Sequence, residues 1–228
     1  NVIIPMGGKS AAFRDAGYVF PKPLMKIAGR PMLLHLIDCL QLRMGDVLWV
    51  VVPSKLHAQY SGDFDLAREY PQIEVRVVPF GLQTRGATET LYVGLQQMSP
   101  AELGRRTICL DCDNLYFSDV LGPFRRLRRD MGACFCFTDE GTAALYSYID
   151  MDGEGMAREI AEKNPIANRA NVGAYGFPSA ALLRQFIGKV LDARTRQKMH
   201  YYVSTIISAM LAAGHPFIGL PAENVVQC

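Results

Sequence analysis

Short apolar runs of strand length alternate with segments of helical periodicity along most of this chain of 228 residues. The runs at residues 2–6, 47–52 and 107–110 are almost continuously apolar, which is typical of strands buried on both faces of a sheet. Between these runs, the apolar residues of segments 31–42 and 88–98 recur at helical spacing. This order predicts an α/β fold: a Rossmann-like, open mixed sheet, mostly parallel and flanked by helices.

The second half of the chain shows a different pattern. Two strand-length segments, residues 146–151 and 156–162, flank the sequence D-G-E-G, and this turn cluster predicts an added β-hairpin. The chain has no internal repeat, no low-complexity segment and no linker. We therefore expect a single domain over residues 1–228.

Composition and charge exclude several classes of protein. Half of the residues are hydrophobic and the formal net charge is only +2, which excludes a largely disordered chain. No apolar run is long enough for a membrane span and no cationic leader opens the chain, so we predict a cytoplasmic protein with no membrane partner. With 24 basic and 22 acidic residues, the chain lacks the concentrated positive charge that nucleic-acid binding requires.

A glycine turn directly follows the first predicted strand, in the sequence P-M-G-G-K-S at residues 5–10. Glycines allow backbone N–H groups to approach a phosphate closely, and Lys9 adds a positive charge. The motif is not a P-loop, because the spacing G-x-x-x-x-G-K-[ST] is absent. An ordinary turn after a strand remains the alternative interpretation.

A pair of carboxylates follows the strand at residues 107–110, in the sequence D-C-D-N at residues 111–114. In open α/β sheets, ligands bind beyond the carboxyl ends of the strands. Carboxylates placed there are suited to hold Mg²⁺ or Mn²⁺ beside a phosphate. The alternative is that both aspartates are turn or cap residues.

Five further motifs are found in a fixed order: F-P-K-P-L at 20–24, G-R-P-M at 29–32, Q-T-R-G-A-T at 83–88, E-K-N-P at 162–165 and A-N-V-G-A-Y-G-F at 170–177. Together with the glycine turn and the aspartate pair, they resemble the nucleotidylyltransferases that make nucleoside-diphosphate sugars and related activated alcohols. The resemblance extends over essentially the whole chain and implies a GT-A-like fold.

The resemblance also implies the role of each matching residue. Residues 1–140 would form the nucleotide-binding half and residues 141–228 the acceptor-binding half. The catalytic residues would be Lys22, Asp113 and Lys163. The metal ligand would be Asp113, with Asp111 as a helper, and the cofactor Mg²⁺ or Mn²⁺. The nucleotide would contact Met6, Gly7, Gly8, Lys9, Lys22, Gln83, Gly86, Ala87 and Asp111. The acceptor would contact Glu162, Lys163, Asn171 and Gly173.

The implied partners are a nucleoside triphosphate and a phosphorylated sugar or small alcohol. A phosphate oxygen of the acceptor would attack the α-phosphorus, and pyrophosphate would leave in line. Because phosphate is already a nucleophile, catalysis reduces to positioning and to neutralisation of negative charge. We therefore expect no catalytic serine, cysteine or histidine.

Two departures from the family pattern bear on activity. The family loop reads G-x-G-[ST]-R-[FL], whereas residues 8–13 read G-K-S-A-A-F, so that Ser10 replaces a glycine and Ala12 replaces the arginine. Loss of a bidentate guanidinium predicts weak binding of the triphosphate. The chain also ends at Cys228, where the family continues into a G-T-P/D segment, which predicts truncation at the C-terminus.

Two alternatives stay open at this stage. One is a catalytically weak homologue that binds a nucleotide or sugar nucleotide as a sensor or module. The other is a metal-dependent glycosyltransferase, which shares the fold and a D-x-D motif but does not need both Lys22 and Lys163 directed at an incoming phosphate. The base, the acceptor and the choice between a homo-oligomer and a fusion to further sequence are left open as well.

Overall fold

The computed structural model describes residues 1–7, 17, 20–60, 62, 65–194 and 201–227. The strands of this part of the chain are β1 (Val2–Pro5), β2 (Lys26–Ile27), β3 (Arg30–Pro31), β4 (Val47–Pro53), β5 (Glu74–Phe80), β6 (Thr107–Leu110), β7 (Asn114–Tyr116), β8 (Gly132–Thr138), β9 (Ser147–Met151), β10 (Ala157–Glu162), β11 (Arg169–Phe177), β12 (Phe217–Pro221) and β13 (Val225–Gln227). The helices are α1 (Met32–Cys39), α2 (Ser54–Tyr60), α3 (Leu66–Glu69), α4 (Ala87–Gln96), α5 (Pro100–Leu103), α6 (Leu121–Arg126), α7 (Ala180–Arg194) and α8 (Val203–Ala212), with a 3-10 helix at Lys22–Leu24.

Nine of the described strands form one sheet. Its continuous path is β10-β9-β11-β6-β1-β4-β5, and β8 pairs with both β11 and β12. Strands β6, β1, β4 and β5 are parallel to one another, and every residue of β1 and β6 is buried. The structure thus confirms the open, mixed α/β sheet that the apolar runs predicted.

Helices cover both faces of this sheet. Alternate residues of β1 point to opposite faces, so Ile4 belongs to one buried cluster and Ile3 to the other. The first cluster includes apolar residues of α1 and α6, and the second includes those of α4, α7 and α8. None of the helices in the described part of the chain is long and apolar enough to cross a membrane.

The predicted hairpin in the second half is confirmed as the antiparallel pair β9 and β10. Its turn is stabilised by Asp152, whose carboxylate accepts hydrogen bonds of 2.9 Å from the backbone N–H groups of Glu154 and Met156. A short acidic side chain that bonds its own turn is the usual chemistry of such a connection.

Strand β11 connects the parallel part of the sheet to the second half. It runs antiparallel to both β6 and β8, and its register with β8 shifts between Asn171 and Tyr175. A bulge of this kind bends the strand and redirects its side chains. Since Ala174 pairs with Leu110, the bulge lies beside the carboxyl end of β6, where the aspartate pair begins.

Candidate active site

The end of β1 packs against the loop that precedes α4. A side chain at Gly7 would collide with the hydroxyls of Thr84 and Thr90, which are 2.9 Å apart. Thr84 also donates to the carbonyl of Gly7 at 3.4 Å. The structure therefore places Gly7, the described glycine of this turn, against the loop at 83–88.

The start of α4 is fixed by close contact with the segment that leads into α8. A Cβ at Gly86 would lie 2.7 Å from the carbonyl oxygen of Tyr201, and the backbone N–H of Thr88 donates to that oxygen at 3.3 Å. The guanidinium of Arg85 lies over the Tyr201 ring, 4.3 Å from its centroid. Gln83, two residues before Arg85, is exposed. Of the other nucleotide residues predicted from the sequence, Gly8 and Lys9 lie outside the described residues.

Lys22 and Asp113 form a salt bridge although they are 91 positions apart in the chain. The Lys22 Nζ lies 2.9 Å from Asp113 Oδ2, and the side chains are 15% and 32% exposed. Lys22 is held by the 3-10 helix and Asp113 by the turn between β6 and β7. Two of the three predicted catalytic residues thus meet at the edge of the sheet.

Asp111 directly follows β6, and its backbone N–H donates to the carbonyl of Gly173 at 2.8 Å. Burial raises the pKa of the Asp111 carboxyl from 3.8 to about 8, and the negative charges of Asp113 and Glu162 add to this rise. The positive charge of Lys22 opposes it. At neutral pH the carboxyl is therefore mostly protonated unless a cation joins it.

The bulge in β11 is shaped by the Asn171 side chain. Asn171 Oδ1 accepts a 2.6 Å hydrogen bond from the backbone N–H of Gly173, and its Nδ2 donates to the carbonyl of Ala174 at 3.3 Å. Gly173 has φ +75°, and a Cβ there would collide with the carboxylate of Asp111 and the amide of Asn114. Glycine is required here by backbone conformation and by space. The predicted acceptor contact of Asn171 stays a prediction, because its amide already holds the bulge.

Glu162 and Lys163 end β10 on the opposite side. Glu162 Oε2 accepts hydrogen bonds from the hydroxyls of Ser147 at 2.5 Å and Ser204 at 2.8 Å. Lys163 is exposed and has φ +50°, and its Nζ lies 5.8 Å from the centroid of the Tyr202 ring. The two neighbouring residues therefore differ: one carboxylate is fixed, and one ammonium group reaches solvent.

A cavity of about 580 Å³ lies among these elements. Five of the predicted site residues line it, namely Ala87, Asp111, Glu162, Asn171 and Gly173. Sequence reasoning missed other lining residues, above all Asn114, Ser147, Tyr146, Tyr175 and Tyr202. Asn114 could have been found from its position next to Asp113, and Tyr175 from its place in the motif at 170–177, whereas Tyr146, Ser147 and Tyr202 carried no local signal.

The C-terminal strand β13 closes one side of this region. It pairs antiparallel with β7, which places Gln227 opposite Asn114, and the preceding Glu223, Asn224 and Val225 line the cavity. Within the described residues, no group of three or more histidine, cysteine, aspartate or glutamate side chains is arranged to hold a metal ion. Asp113, whose Oδ2 pairs with Lys22, lies in the turn after β6, and its side chain is 32% exposed.

Comparison with known proteins gives both a family and a fold. A family model described as nucleotidyl transferase matches residues 1–224. The structure is similar to the nucleoside-diphosphate-sugar pyrophosphorylase from Vibrio cholerae RC9, with a TM-score of 0.80, 17% sequence identity, and coverage of 100% of this chain and 95% of that chain. It is also similar to the inositol-1-phosphate CTP transferase from T. maritima, with a TM-score of 0.74, 10% identity, and coverage of 99% and 86%. The comparison with curated proteins gives no match.

Proposed function

The chain belongs to the nucleotidyl transferase family, and we propose that it transfers a nucleoside monophosphate from a nucleoside triphosphate to a phosphorylated sugar or small alcohol. The other product is pyrophosphate. The family match confirms the resemblance drawn from the motifs and favours nucleotidyl transfer over glycosyl transfer. The acceptor, the metal and the roles of single residues are our proposals.

The observation that carries the proposal is the arrangement of the Lys22–Asp113 salt bridge beside the cavity. Asp111, two residues from Asp113, lines the cavity, while Asp113 itself pairs with Lys22. Strand β1 lies next to β6, with Ile3 opposite Cys109, so the backbone around Gly7 continues alongside the aspartate turn. This supports a nucleotide on the Gly7 side, an acceptor in the cavity and the charged pair near the transferred phosphate.

We propose that Lys22 binds the α-phosphate or the attacking phosphate. In the structure its ammonium group is already held at the sheet edge by Asp113, 2.9 Å away. A positive charge that is already in position lowers the free-energy cost of bringing negatively charged phosphate groups together, because less reorganisation is needed when the substrates bind. Arriving phosphate oxygens would take over the interaction that Asp113 provides.

We propose Asp113 as the ligand for Mg²⁺ or Mn²⁺, with Asp111 two residues away. Proteins usually hold Mg²⁺ through one or two carboxylates, and substrate phosphates and water complete the coordination. The half-exposed carboxylate of Asp113 fits this donor set, although no larger cluster of ligands exists among the described residues. A bound divalent ion would neutralise charge on the phosphates.

On the acceptor side, we propose that Lys163 binds the acceptor's phosphate. Its ammonium group is exposed and lies near the ring of Tyr202, which lines the cavity. Glu162, fixed by two serine hydroxyls, would contact the remainder of the acceptor inside the cavity. No general base is required, since the acceptor phosphate is the nucleophile.

The experiment that tests the proposal measures pyrophosphate release from each nucleoside triphosphate with Mg²⁺, with and without a panel of sugar phosphates and alcohol phosphates. We expect release that depends on both a triphosphate and an acceptor. Lys22→Ala should reduce it strongly, whereas Lys26→Ala, an exposed lysine of β2, should not. Triphosphate hydrolysis independent of any acceptor would contradict nucleotidyl transfer. Binding of the triphosphate without release of pyrophosphate would also contradict it and would favour a binding homologue.

A further inference from the structure

A second cavity, of about 700 Å³, lies at the edge of the sheet opposite to Asp111. It is lined by Asp46, which directly precedes β4, and by Arg105 and Arg106, which precede β6. Because β1, β4 and β6 are parallel, their first residues lie at one edge of the sheet, whereas Asp111 follows the last residue of β6. No residue that the structure describes lines both cavities. The second cavity is therefore separate from the proposed active site.

Positive charge dominates the wall of this second cavity. The charged side chains among its described lining residues are four arginines and one aspartate, which give a formal net charge of +3: Arg105, Arg106, Arg125, Arg129 and Asp46. Asp46 already pairs with Arg125. The other three arginines form no salt bridge with an aspartate or glutamate in the part of the chain that the structure describes. This basic cavity, as we call it, therefore favours an anion.

Arg106 is held in position at the wall of the basic cavity. Its guanidinium lies over the ring of Phe124, 4.2 Å from the centroid, and donates to the carbonyls of Leu127 at 3.0 Å and Met131 at 3.3 Å. Burial and the positive charge of Arg129 both lower the pKa of this guanidinium. An anion between the two arginines would relieve their repulsion. Planar guanidinium groups bind phosphate oxygens through two parallel hydrogen bonds, so phosphate is the anion that suits them.

Arg129 differs from its neighbour Arg128, although both are exposed and both belong to the sequence R-R-L-R-R at residues 125–129. Arg128 pairs with Asp130 at 2.8 Å and is not among the lining residues. Arg129 lines the basic cavity and has no carboxylate partner within the described ranges. The fold thus brings Arg129 to Arg105 and Arg106, which are more than twenty positions earlier in the chain. An ordinary run of surface charge does not require this convergence.

The size of the basic cavity points to a ligand larger than phosphate itself. Pockets of about 300–1,000 Å³ hold small organic molecules. Two half-buried apolar residues of the wall, Leu127 and Pro178, offer surface for an organic group beside the arginines. We propose that the basic cavity is a second binding site, which takes a small organic phosphate: the phosphate lies against Arg105, Arg106 and Arg129, and the organic group fills the remainder. This inference does not depend on the proposed function.

Calorimetry tests the binding directly. The full chain carries Lys22→Ala and Lys163→Ala, so that the lysines proposed to hold substrate phosphates are absent. The ligands are two organic phosphates, phenyl phosphate and ribose-5-phosphate, together with inorganic phosphate and uncharged phenol. We expect at least one organic phosphate to bind with a dissociation constant below about 1 mM. Inorganic phosphate should bind more weakly, and phenol should not bind.

Variants of the wall connect this binding to the basic cavity. Arg105→Gln and Arg129→Gln should each weaken binding of the organic phosphate about tenfold, because each removes a charge-assisted hydrogen bond. Arg126→Gln is the matched control: Arg126 is an exposed arginine of α6 that does not line the cavity, and its loss should leave the dissociation constant unchanged. If Arg105→Gln fails to fold, Arg129→Glu replaces it, since Arg129 is exposed.

Three results would overturn the inference. The first is the absence of binding by both organic phosphates, or binding no tighter than that of inorganic phosphate. The second is an affinity that Arg105→Gln and the two Arg129 variants leave unchanged, because the ligand then lies elsewhere. The third is an equal loss of affinity in Arg126→Gln, which would make the effect one of general surface charge. Binding that weakens only in the variants of the wall supports the proposal.

Discussion

The two sides of the site are constructed differently. On the proposed nucleotide side, backbone and small residues set the geometry: Gly7 packs against Thr84 and Thr90, and Gly86 packs against the carbonyl of Tyr201. On the proposed acceptor side, residues from β9, β10 and β11, together with Asp111 just after β6, converge on a cavity lined by carboxyl groups and aromatic rings. A site made of backbone contacts leaves glycine and turn motifs in the sequence. A site made of converging side chains leaves only scattered single residues, so its chemistry is visible only after folding.

Removal of the Asp113 carboxylate, which lies where the two sides of the site meet, should lower kcat more than any other substitution. Asp113→Asn deletes the proposed metal ligand and the partner of Lys22. We expect kcat to fall by about 10³-fold or more, because several kcal/mol of charge stabilisation are lost. The fold should stay intact, since Asp113 is half-exposed. Steady-state kinetics across a Mg²⁺ titration provides the measurement.

Asp130→Asn is a suitable control for that experiment. Asp130 pairs with Arg128 on the surface, where its side chain is 63% exposed, so the substitution should leave turnover unchanged. Unchanged Mg²⁺ dependence in Asp113→Asn would remove this residue from the metal site.

Lys163→Ala acts on the acceptor side alone. Loss of a charged contact made in the transition state should lower kcat/KM for the acceptor about 10²–10³-fold. The KM for the triphosphate should stay close to the wild-type value, because Lys163 lies near Tyr202, on the proposed acceptor side of the site. Lys55→Ala, which removes an exposed lysine of α2, serves as control. A change within about threefold in the acceptor kcat/KM, far short of the expected loss, would make Lys163 a surface residue without a role in acceptor binding.

Gly173→Ala tests the backbone of the acceptor side. A residue other than glycine at φ +75° costs about 1–2 kcal/mol, and the collision with Asp111 and Asn114 adds about 1–3 kcal/mol. The free energy of unfolding, measured by urea titration, should fall by an amount in the range that these two costs span. Gly153→Ala is the control: nothing lies within 4 Å of its Cβ position. Equal stability of the two variants would show that the bulge tolerates a side chain.

Asp111→Asn tests the electrostatics of the cavity through pH. Burial and the charges of Asp113 and Glu162 raise the pKa of the folded-state carboxyl to about 8, above its ordinary value of 3.8. The stability that the protonated Asp111 carboxyl contributes should therefore be fully present below about pH 4. It should be lost as pH rises toward 8, with a slope in the free energy of unfolding of at most about 1.4 kcal/mol per pH unit. The asparagine variant has no such loss, so its free energy of unfolding should increase relative to that of the wild type as pH rises from about 4 to about 8. Urea unfolding in EDTA at several pH values measures the difference, and a pH-independent difference would contradict it.

Ala12→Arg is expected to have the smallest effect, and it addresses the nucleotide side. The position lies outside the described residues, so the prediction rests on the family motif alone. A guanidinium there would add charge-assisted hydrogen bonds to the outer phosphates, and binding of the triphosphate should tighten up to about tenfold. Titration of a nonhydrolysable triphosphate measures this change. Unchanged or weaker binding would show that Ser10 directs the loop along another path.

The sequence by itself determined the buried parallel strands β1, β4 and β6, the hairpin and the motifs from which the site is proposed. Apolar runs predicted β1, β4 and β6 because burial on both faces of a sheet demands uninterrupted apolar residues. The glycine turn and the aspartate pair were recognisable because each lies within a few residues of a strand end. These are local properties, fixed by backbone conformation and burial, so residues that are adjacent in the sequence are sufficient to predict them.

Tertiary structure decided how those places meet. The antiparallel pairing of β11 with β6, and its bulge at Gly173, brings residues 171–175 beside Asp111. Pairing across the chain also joins Lys22 to Asp113 and encloses a cavity lined by aromatic residues and by residues with carboxyl groups. Local periodicity does not encode these distances, because they depend on sheet register and on the packing of segments far apart in the chain.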